Sequence, residues 1–151
     1  MAGDEDVDRG VLFDSSVLIA SLDVKAPTDP AVRFRARKLL EDELRADDSA
    51  IAITPLIRYE TLRAVPPTSL RAMMISDTLD AFTTFDITDD IARRAIELFR
   101  LESDGAPDGW NPDKRRFDAF HVATALVHDL ELVSLDSGQM KVYRSQLARQ
   151  L

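Results

Sequence analysis

Carboxylate side chains are the residues of this sequence best suited to do chemistry. The chain has 151 residues, of which 27 are Asp or Glu, and it contains no cysteine. Four acids stand in settings where a side chain can face a site, namely Asp14, Glu60, Asp118 and Asp136. Three or four carboxylates around one or two divalent cations can activate a water molecule and stabilise the charge that develops on a phosphodiester. The residue types therefore permit metal-assisted hydrolysis.

Each of these acids, taken alone, also has a purely structural interpretation. An Asp directly after a strand, as at Asp14 and Asp136, often forms a turn or caps a helix. Glu60 can pair with a neighbouring arginine such as Arg63, and Asp118 near a helix start interacts favourably with the helix dipole. Only the four acids together, in this order and in these settings, favour a functional site.

Histidine chemistry is a weaker alternative. The chain has two histidines, His121 and His128, which are predicted to share one face of a helix about two turns apart. That separation is too wide for a single reacting centre, so we expect both to be structural or exposed and not to move a proton in the reaction. The lack of cysteine excludes a disulfide framework and a thiolate zinc site.

Alternating short apolar runs and helical spacings predict the elements that position the acids. Strands are predicted at 11–13, 50–53, 85–87 and 131–135. Helices are predicted from about residue 16, over 31–46, from the Thr54-Pro55 pair, and over 68–82, 89–102 and 117–128. This alternation predicts an α/β fold with a central parallel sheet that is covered on both faces.

Asp14 and Asp136 each follow an apolar strand directly. In an open parallel sheet the functional site lies beyond the carboxyl ends of the strands, where the strand order reverses. If the first and last strands are neighbours, both carboxylates therefore enter one crevice. We predict that Glu60 and Asp118 converge on the same crevice.

The stretch 103–116 is rich in Gly, Pro and Asp and has no apolar period, so it is predicted to be one long loop. The basic residues Lys114, Arg115 and Arg116 lie at its end, shortly before Asp118. They could contact RNA phosphates beside the site, and a solvated basic loop is the equally weighted alternative.

The overall charge limits how the protein could bind a nucleic acid. The formal net charge is −8, which excludes a protein that coats RNA by bulk electrostatics alone. Residues 1–9 are predicted to be an acidic mobile tail and 10–151 a single domain. This tail does not resemble a signal peptide, and no apolar run approaches the roughly 20 residues of a membrane span, so we expect a cytoplasmic protein.

Four segments together resemble the PIN-domain family. Residues 13–19 (FDSSVLI) are similar to its opening motif, in which a hydrophobic strand precedes Asp-x-Ser-x-Leu-Ile. Residues 58–62 (RYETL) are similar to the second, helical glutamate motif, and 117–125 (FDAFHVATA) are close to the third motif. Residues 132–136 (LVSLD) match the fourth, a strand that ends in Ser/Thr-x-Asp. The resemblance extends from about residue 10 to 145.

The resemblance implies a three-layer α/β/α fold with four or five parallel strands and RNA cleavage that depends on Mg²⁺ or Mn²⁺. It also implies that Asp14, Glu60, Asp118 and Asp136 are the catalytic, metal-binding quartet. Many small members of the family resemble the ribonuclease toxins of type II, VapBC-like toxin–antitoxin pairs. The expected partners are therefore an RNA substrate, a cognate antitoxin and a second copy of the chain in a homodimer.

One departure from the family pattern bears on this expectation. The family usually continues after its fourth acid with Asp-x-Asp-Phe, whereas residues 136–140 read DSGQM, and this difference predicts that a ligand of a second ion is lacking. Two alternatives therefore stay open, a solitary RNA-processing nuclease and a non-catalytic protein-binding module. An aspartyl-nucleophile phosphatase is disfavoured because it requires an Asp two residues after Asp14, where the chain has Ser16.

Overall fold

A parallel β-sheet forms the centre of the molecule. The computed structural model describes residues 10–46 and 50–150. Within them the strands are β1 Val11–Phe13, β2 Ile51–Ile53, β3 Thr83–Thr84 and β4 Glu131–Val133. All paired strands run parallel, in the order β3-β2-β1-β4. The predicted α/β class and the predicted central parallel sheet of four or five strands are confirmed, with four strands in the described residues.

Helices connect and cover the strands. In the described residues they are α1 Ser15–Leu22, α2 Pro30–Arg45, α3 Pro55–Leu62, α4 Leu70–Asp80, α5 Asp89–Asp104, α6 Pro112–Val127 and α7 Ser137–Arg149. None of these helices is both long and apolar enough to cross a bilayer. The predicted acidic tail, residues 1–9, lies outside the described residues.

The strand order creates a switch point between β1 and β4. From β1 the chain adds β2 and then β3 on one side, and it returns to place β4 on the other side. Phe13 is aligned with Val133, and the N–H of Asp14 donates to the Val133 carbonyl at 3.2 Å. Because both strands end here, the residues that follow them enter the same crevice. The first and last strands are therefore neighbours, the condition under which Asp14 and Asp136 were expected to share a crevice.

Strands β1 and β2 consist entirely of buried residues, as expected for a parallel sheet with helices on both faces. The largest fully buried apolar side chains include Leu12 and Phe13 of β1 and Ile53 of β2. This packing fixes the backbone on which the following polar residues stand. At roughly 25 cal/mol per Å² of apolar surface, such side chains dominate the stability of the sheet.

The predicted loop 103–116 is wrong at both ends. Helix α5 continues to Asp104, and α6 begins at Pro112, before the predicted start at 117. The reason is local: the Asn111 side chain caps α6 by accepting from the Asp113 N–H at 3.1 Å, and Pro112 has the fixed φ that suits a first helical turn. The loop that remains is short, and Trp110 in it packs on the Phe99 ring at a centroid distance of 5.5 Å.

The third strand also differs from its predicted position at 85–87. It comprises Thr83–Thr84, both exposed at the edge of the sheet. The ladder extends slightly further, because the Phe85 N–H donates to the Ile53 carbonyl at 2.9 Å. Alternating Phe85 and Ile87 suggested a strand, but the pairing stops before Ile87.

Candidate functional site

Asp14 lies at the centre of a buried hydrogen-bond network. It follows β1 and is only 3% exposed. Ser16 Oγ donates to Asp14 Oδ1 at 2.5 Å, and Ser134 Oγ donates to Asp14 Oδ2 at 2.5 Å. The Val17 N–H donates to Oδ1 at 3.3 Å, so Asp14 also caps α1. Donors on both oxygens fix the plane of the carboxylate.

The two serines also join the ends of β1 and β4. Ser16 Oγ accepts from the Leu135 N–H at 3.0 Å, and Ser134 Oγ accepts from the Asp136 N–H at 3.0 Å. Each hydroxyl therefore accepts from one backbone segment while it donates to Asp14. Through Ser134, the backbone N–H of Asp136 is therefore linked to the Asp14 carboxylate.

Burial raises the pKa of Asp14 because the charged carboxylate loses its hydration. The hydrogen bonds from Ser134 and Ser16, the charge of His121 and the Val17 N–H act in the opposite direction and offset part of this effect. The net direction is upward. A buried carboxylate with a raised pKa is more stable as an anion when a cation is near, which is a property of metal-binding acids.

Asp136 stands at the start of α7, where its Oδ1 accepts from the Gln139 N–H at 3.1 Å. The structural interpretation of an acid after a strand thus holds for both Asp14 and Asp136, since each caps a helix. Gln139 is buried, and its Oε1 lies 3.3 Å from Ser134 Oγ. Gln139 extends the network around Asp14 by one more polar side chain.

Glu60 and His121 form a second polar group, on helices α3 and α6. His121 Nε2 lies 2.5 Å from Glu60 Oε1. The His121 side chain is 2% exposed and that of Glu60 is 14% exposed. His121 is therefore buried and in direct contact with Glu60, a predicted metal ligand. His128 is remote from this contact and packs on the Phe85 ring instead.

Asp118 lies one helical turn before His121 on α6. Residues three apart share a helix face, so half-buried Asp118 is on the side of α6 that carries the contact to Glu60. Arg116 is two residues before Asp118, so the two side chains point in directions about 200° apart around the helix axis. Its guanidinium carbon lies 4.8 Å from the centroid of the Phe117 ring. The side chains of Lys114 and Arg115 fall outside the described part of the structure.

The described residues therefore place the predicted acids in two groups. The strand-end group consists of Asp14, Ser16, Ser134 and Asp136, and the helix-face group consists of Glu60, His121 and Asp118. Within the described chain, no three His, Asp or Glu side chains are arranged so that they could already hold a metal ion. The donor types suit a hard divalent cation, and closer approach of the two groups would be needed.

Sequence reasoning missed the roles of Ser16, Ser134, Gln139 and His121. The two serines stand in the first and fourth motifs, each two residues from an acid, and this regular spacing was the available signal. Neither the Glu60–His121 contact nor the position of Gln139 has a local signal. Both depend on how distant helices pack.

The protein is thus an α/β protein with an open parallel sheet, and acid and hydroxyl groups lie together at the switch point of that sheet. Residues 11–145 match the PIN domain family. The chain therefore belongs to the PIN domain family, as the four motifs predicted. No curated protein matches the chain significantly.

Solved structures share the fold. A chain of a toxin–antitoxin complex from Klebsiella pneumoniae is 24% identical with a TM-score of 0.56, and the alignment covers 84% of this chain and 87% of that one. A chain of VapBC2 from Rickettsia felis, bound to a DNA fragment from its promoter, is 15% identical with a TM-score of 0.57. That alignment covers 87% of this chain and 91% of the other.

Proposed function

We propose that this protein is a divalent-metal-dependent endoribonuclease and the toxin component of a toxin–antitoxin pair. The observation that carries the proposal is the buried Asp14 carboxylate, which the two serines orient at the switch point of a PIN fold. A buried, oriented acid with a raised pKa is costly to the fold in isolation, so it is best explained by a function that needs it.

In this proposal Asp14, Glu60, Asp118 and Asp136 hold Mg²⁺ or Mn²⁺. When bound, the ion supplies an activated water and neutralises charge on the scissile phosphate. Asp14 contributes an oriented ligand, because its rotation is fixed before any ion arrives. Glu60 and Asp118 approach from the helix faces of α3 and α6. Asp136 joins the ion site from the end of β4, because its backbone N–H donates to Ser134 Oγ, which in turn donates to Asp14.

The partners of the chain follow from the same proposal. Both structural neighbours described above come from toxin–antitoxin complexes, which favours a cognate antitoxin as a partner. We propose as well that the antitoxin blocks the site and that the chain forms a homodimer and acts in the cytoplasm. Arg116, with Lys114 and Arg115, is proposed to contact RNA phosphates. Because the chain is acidic overall, such contacts would have to be local.

A non-catalytic protein-binding module is the second candidate. Two observations favour it: the acid expected after Asp136 is replaced in the run Ser137-Gly138-Gln139, and no group of three possible metal ligands is preformed in the described residues. The Asp14 network argues against it, since capping α1 does not require a buried carboxylate that also accepts from both Ser16 and Ser134.

A cleavage assay separates these candidates. The wild type, incubated with several single-stranded and structured RNAs, is expected to cut at least one of them with Mg²⁺ or Mn²⁺ and to stop in EDTA. Asp90→Asn, which changes an exposed acid in the first turn of α5, is the matched control and should cut like the wild type. No cutting of any RNA by folded wild type with either ion would favour the binding module.

A further inference from the structure

The contact between His121 and Glu60 has a definite direction. An ionised glutamate only accepts hydrogen bonds, so His121 must donate from Nε2 to Glu60 Oε1, 2.5 Å away. The contact uses one of the two carboxylate oxygens and leaves Oε2 outside it. His121 is 1% exposed, which means that the ring cannot turn away to bond with bulk water.

The other ring nitrogen adds a cost to keeping a histidine at this position. Within the described residues, His121 Nδ1 is buried and has no hydrogen-bond partner. A buried polar atom without a partner destabilises the fold, and an apolar side chain of similar size would avoid that penalty. The same holds for His128 Nε2, so the feature that distinguishes His121 is the contact of its Nε2 with Glu60.

Helix α6 also carries Asp118, three residues before His121 and on the same face. One rigid helix thus presents a proposed ligand, Asp118, and the group that holds another proposed ligand, Glu60 of α3. The distance between these two carboxylates is then set by the helix and by one hydrogen bond. Without the hydrogen bond, the glutamate side chain would be free to rotate about its own torsions.

We propose that His121 is a positioning residue that orients Glu60 for divalent-ion binding. This inference rests on the proposed metal-dependent function. His121 acts through Glu60 and touches neither the substrate nor the ion. Hydrogen-bond partners of metal ligands typically change metal affinity or activity by about 10–100-fold when they are removed.

Two nearly isosteric replacements test the inference. His121→Gln retains an N–H donor at a reach similar to Nε2, whereas His121→Met fills similar space without a donor. Both residues are good helix formers, so α6 should persist. His128→Met, at the C-cap of the same helix and packed on Phe85, is the matched control. Mn²⁺ affinity is measured by calorimetry for each protein, and urea unfolding in EDTA measures the stability of the ion-free fold.

We expect His121→Met to bind Mn²⁺ at least about tenfold more weakly than the wild type, and His121→Gln and His128→Met to bind within a few-fold of it. Unfolding in EDTA should be similar for the two His121 variants. Wild-type affinity in His121→Met would overturn the positioning role, as would equal losses of affinity in both His121 variants. If the wild type itself binds no Mn²⁺ and cuts no RNA, the proposed function fails, and the inference fails with it.

Discussion

The two groups of the candidate site are built in different ways. In the strand-end group, Asp14 receives hydrogen bonds on both oxygens and is almost completely buried. In the helix-face group, Glu60 accepts one bond, from His121, and stays partly exposed. Asp14 is thus fixed by residues adjacent to paired strands, whereas Glu60 depends on the packing of two helices.

This difference distinguishes an acid fixed by the sheet from acids whose positions depend on helix packing. Parallel strands hold their ends in register, so the position of Asp14 is set once β1 and β4 pair. Helices packed on a sheet can shift without disturbing the strands. We propose that ion binding draws the helix-face group toward Asp14 with the Glu60–His121 contact retained, which would reconcile the proposed metal site with the lack of a preformed three-ligand group in the described residues.

The largest expected effect is on cleavage. Removing a group that stabilises developing charge commonly costs a factor of about 10² or more in rate. Asp14→Asn and Asp118→Asn should therefore each lose nearly all RNA cleavage, while circular dichroism stays unchanged. RNA cleavage by Asp118→Asn at the wild-type rate would contradict a role of Asp118, and with it the helix-face group, in the reaction.

The second effect is on thermal stability. Because ion binding to the native state stabilises it, the melting temperature of the wild type should rise with millimolar Mg²⁺ or Mn²⁺. Asp14→Asn should weaken that rise, and Glu60→Gln should weaken it less if Asp14 is the fixed ligand. A wild type whose melting temperature ignores both ions would contradict a metal site.

A smaller effect is expected from the hydroxyl that holds Asp14. Ser134→Ala removes the donor to Asp14 Oδ2. The free energy of unfolding should therefore fall by about 1.5–3 kcal/mol, as for other hydrogen bonds to charged groups. Because that bond lowers the pKa of Asp14, its loss should move the acid limb of the pH–rate profile to higher pH. Ser137→Ala, at an exposed position, is the control, and an unchanged limb in Ser134→Ala would refute this role.

The smallest effect is the pH dependence of the ion-free fold. The pKa of Asp14 is raised in the folded state, so the native protein binds more protons than the unfolded chain as pH rises above 3.8, the ordinary value. The contribution of Asp14 to stability therefore falls with rising pH and levels off above the raised pKa.

Asp14→Asn tests that sign. Its amide nitrogen would face Ser134, whose proton can turn to Gln139 Oε1, 3.3 Å away, so the network can adapt. Compared with the wild type in EDTA, the variant should gain relative stability as pH rises from about 4 and keep that gain at neutral pH. Urea unfolding of both proteins across pH measures this gain. If the stability of the variant relative to the wild type fell as pH rises, the pKa of Asp14 would be lowered and not raised in the folded state.

The sequence was informative wherever local signals were enough. An acid directly after an apolar run located Asp14 and Asp136, and alternating elements predicted the parallel sheet. The start of α6 was also accessible, because Asn111-Pro112 carries the same capping signal as Thr54-Pro55. Its Gly- and Asp-rich surroundings led instead to the prediction of a loop.

Other features depend on packing between distant segments. Glu60 and His121 are 61 residues apart, and no periodicity in either helix indicates that the two side chains meet. Ser134 and Asp14 are 120 residues apart, and their contact requires β4 to lie beside β1. The sequence leaves the order of the strands open, and only the structure shows that β4 lies beside β1.

The most direct test of the central claim is a crystal structure of the wild type grown with Mn²⁺, in which anomalous scattering locates the ion. We expect an anomalous peak coordinated by Asp14 and by at least one of Glu60 and Asp118, with the Glu60 Oε1 to His121 contact retained. A structure without a peak at Asp14 would contradict it. So would one in which Asp14, Glu60 or Asp118 lies more than about 10 Å from the other two, too far to share ions.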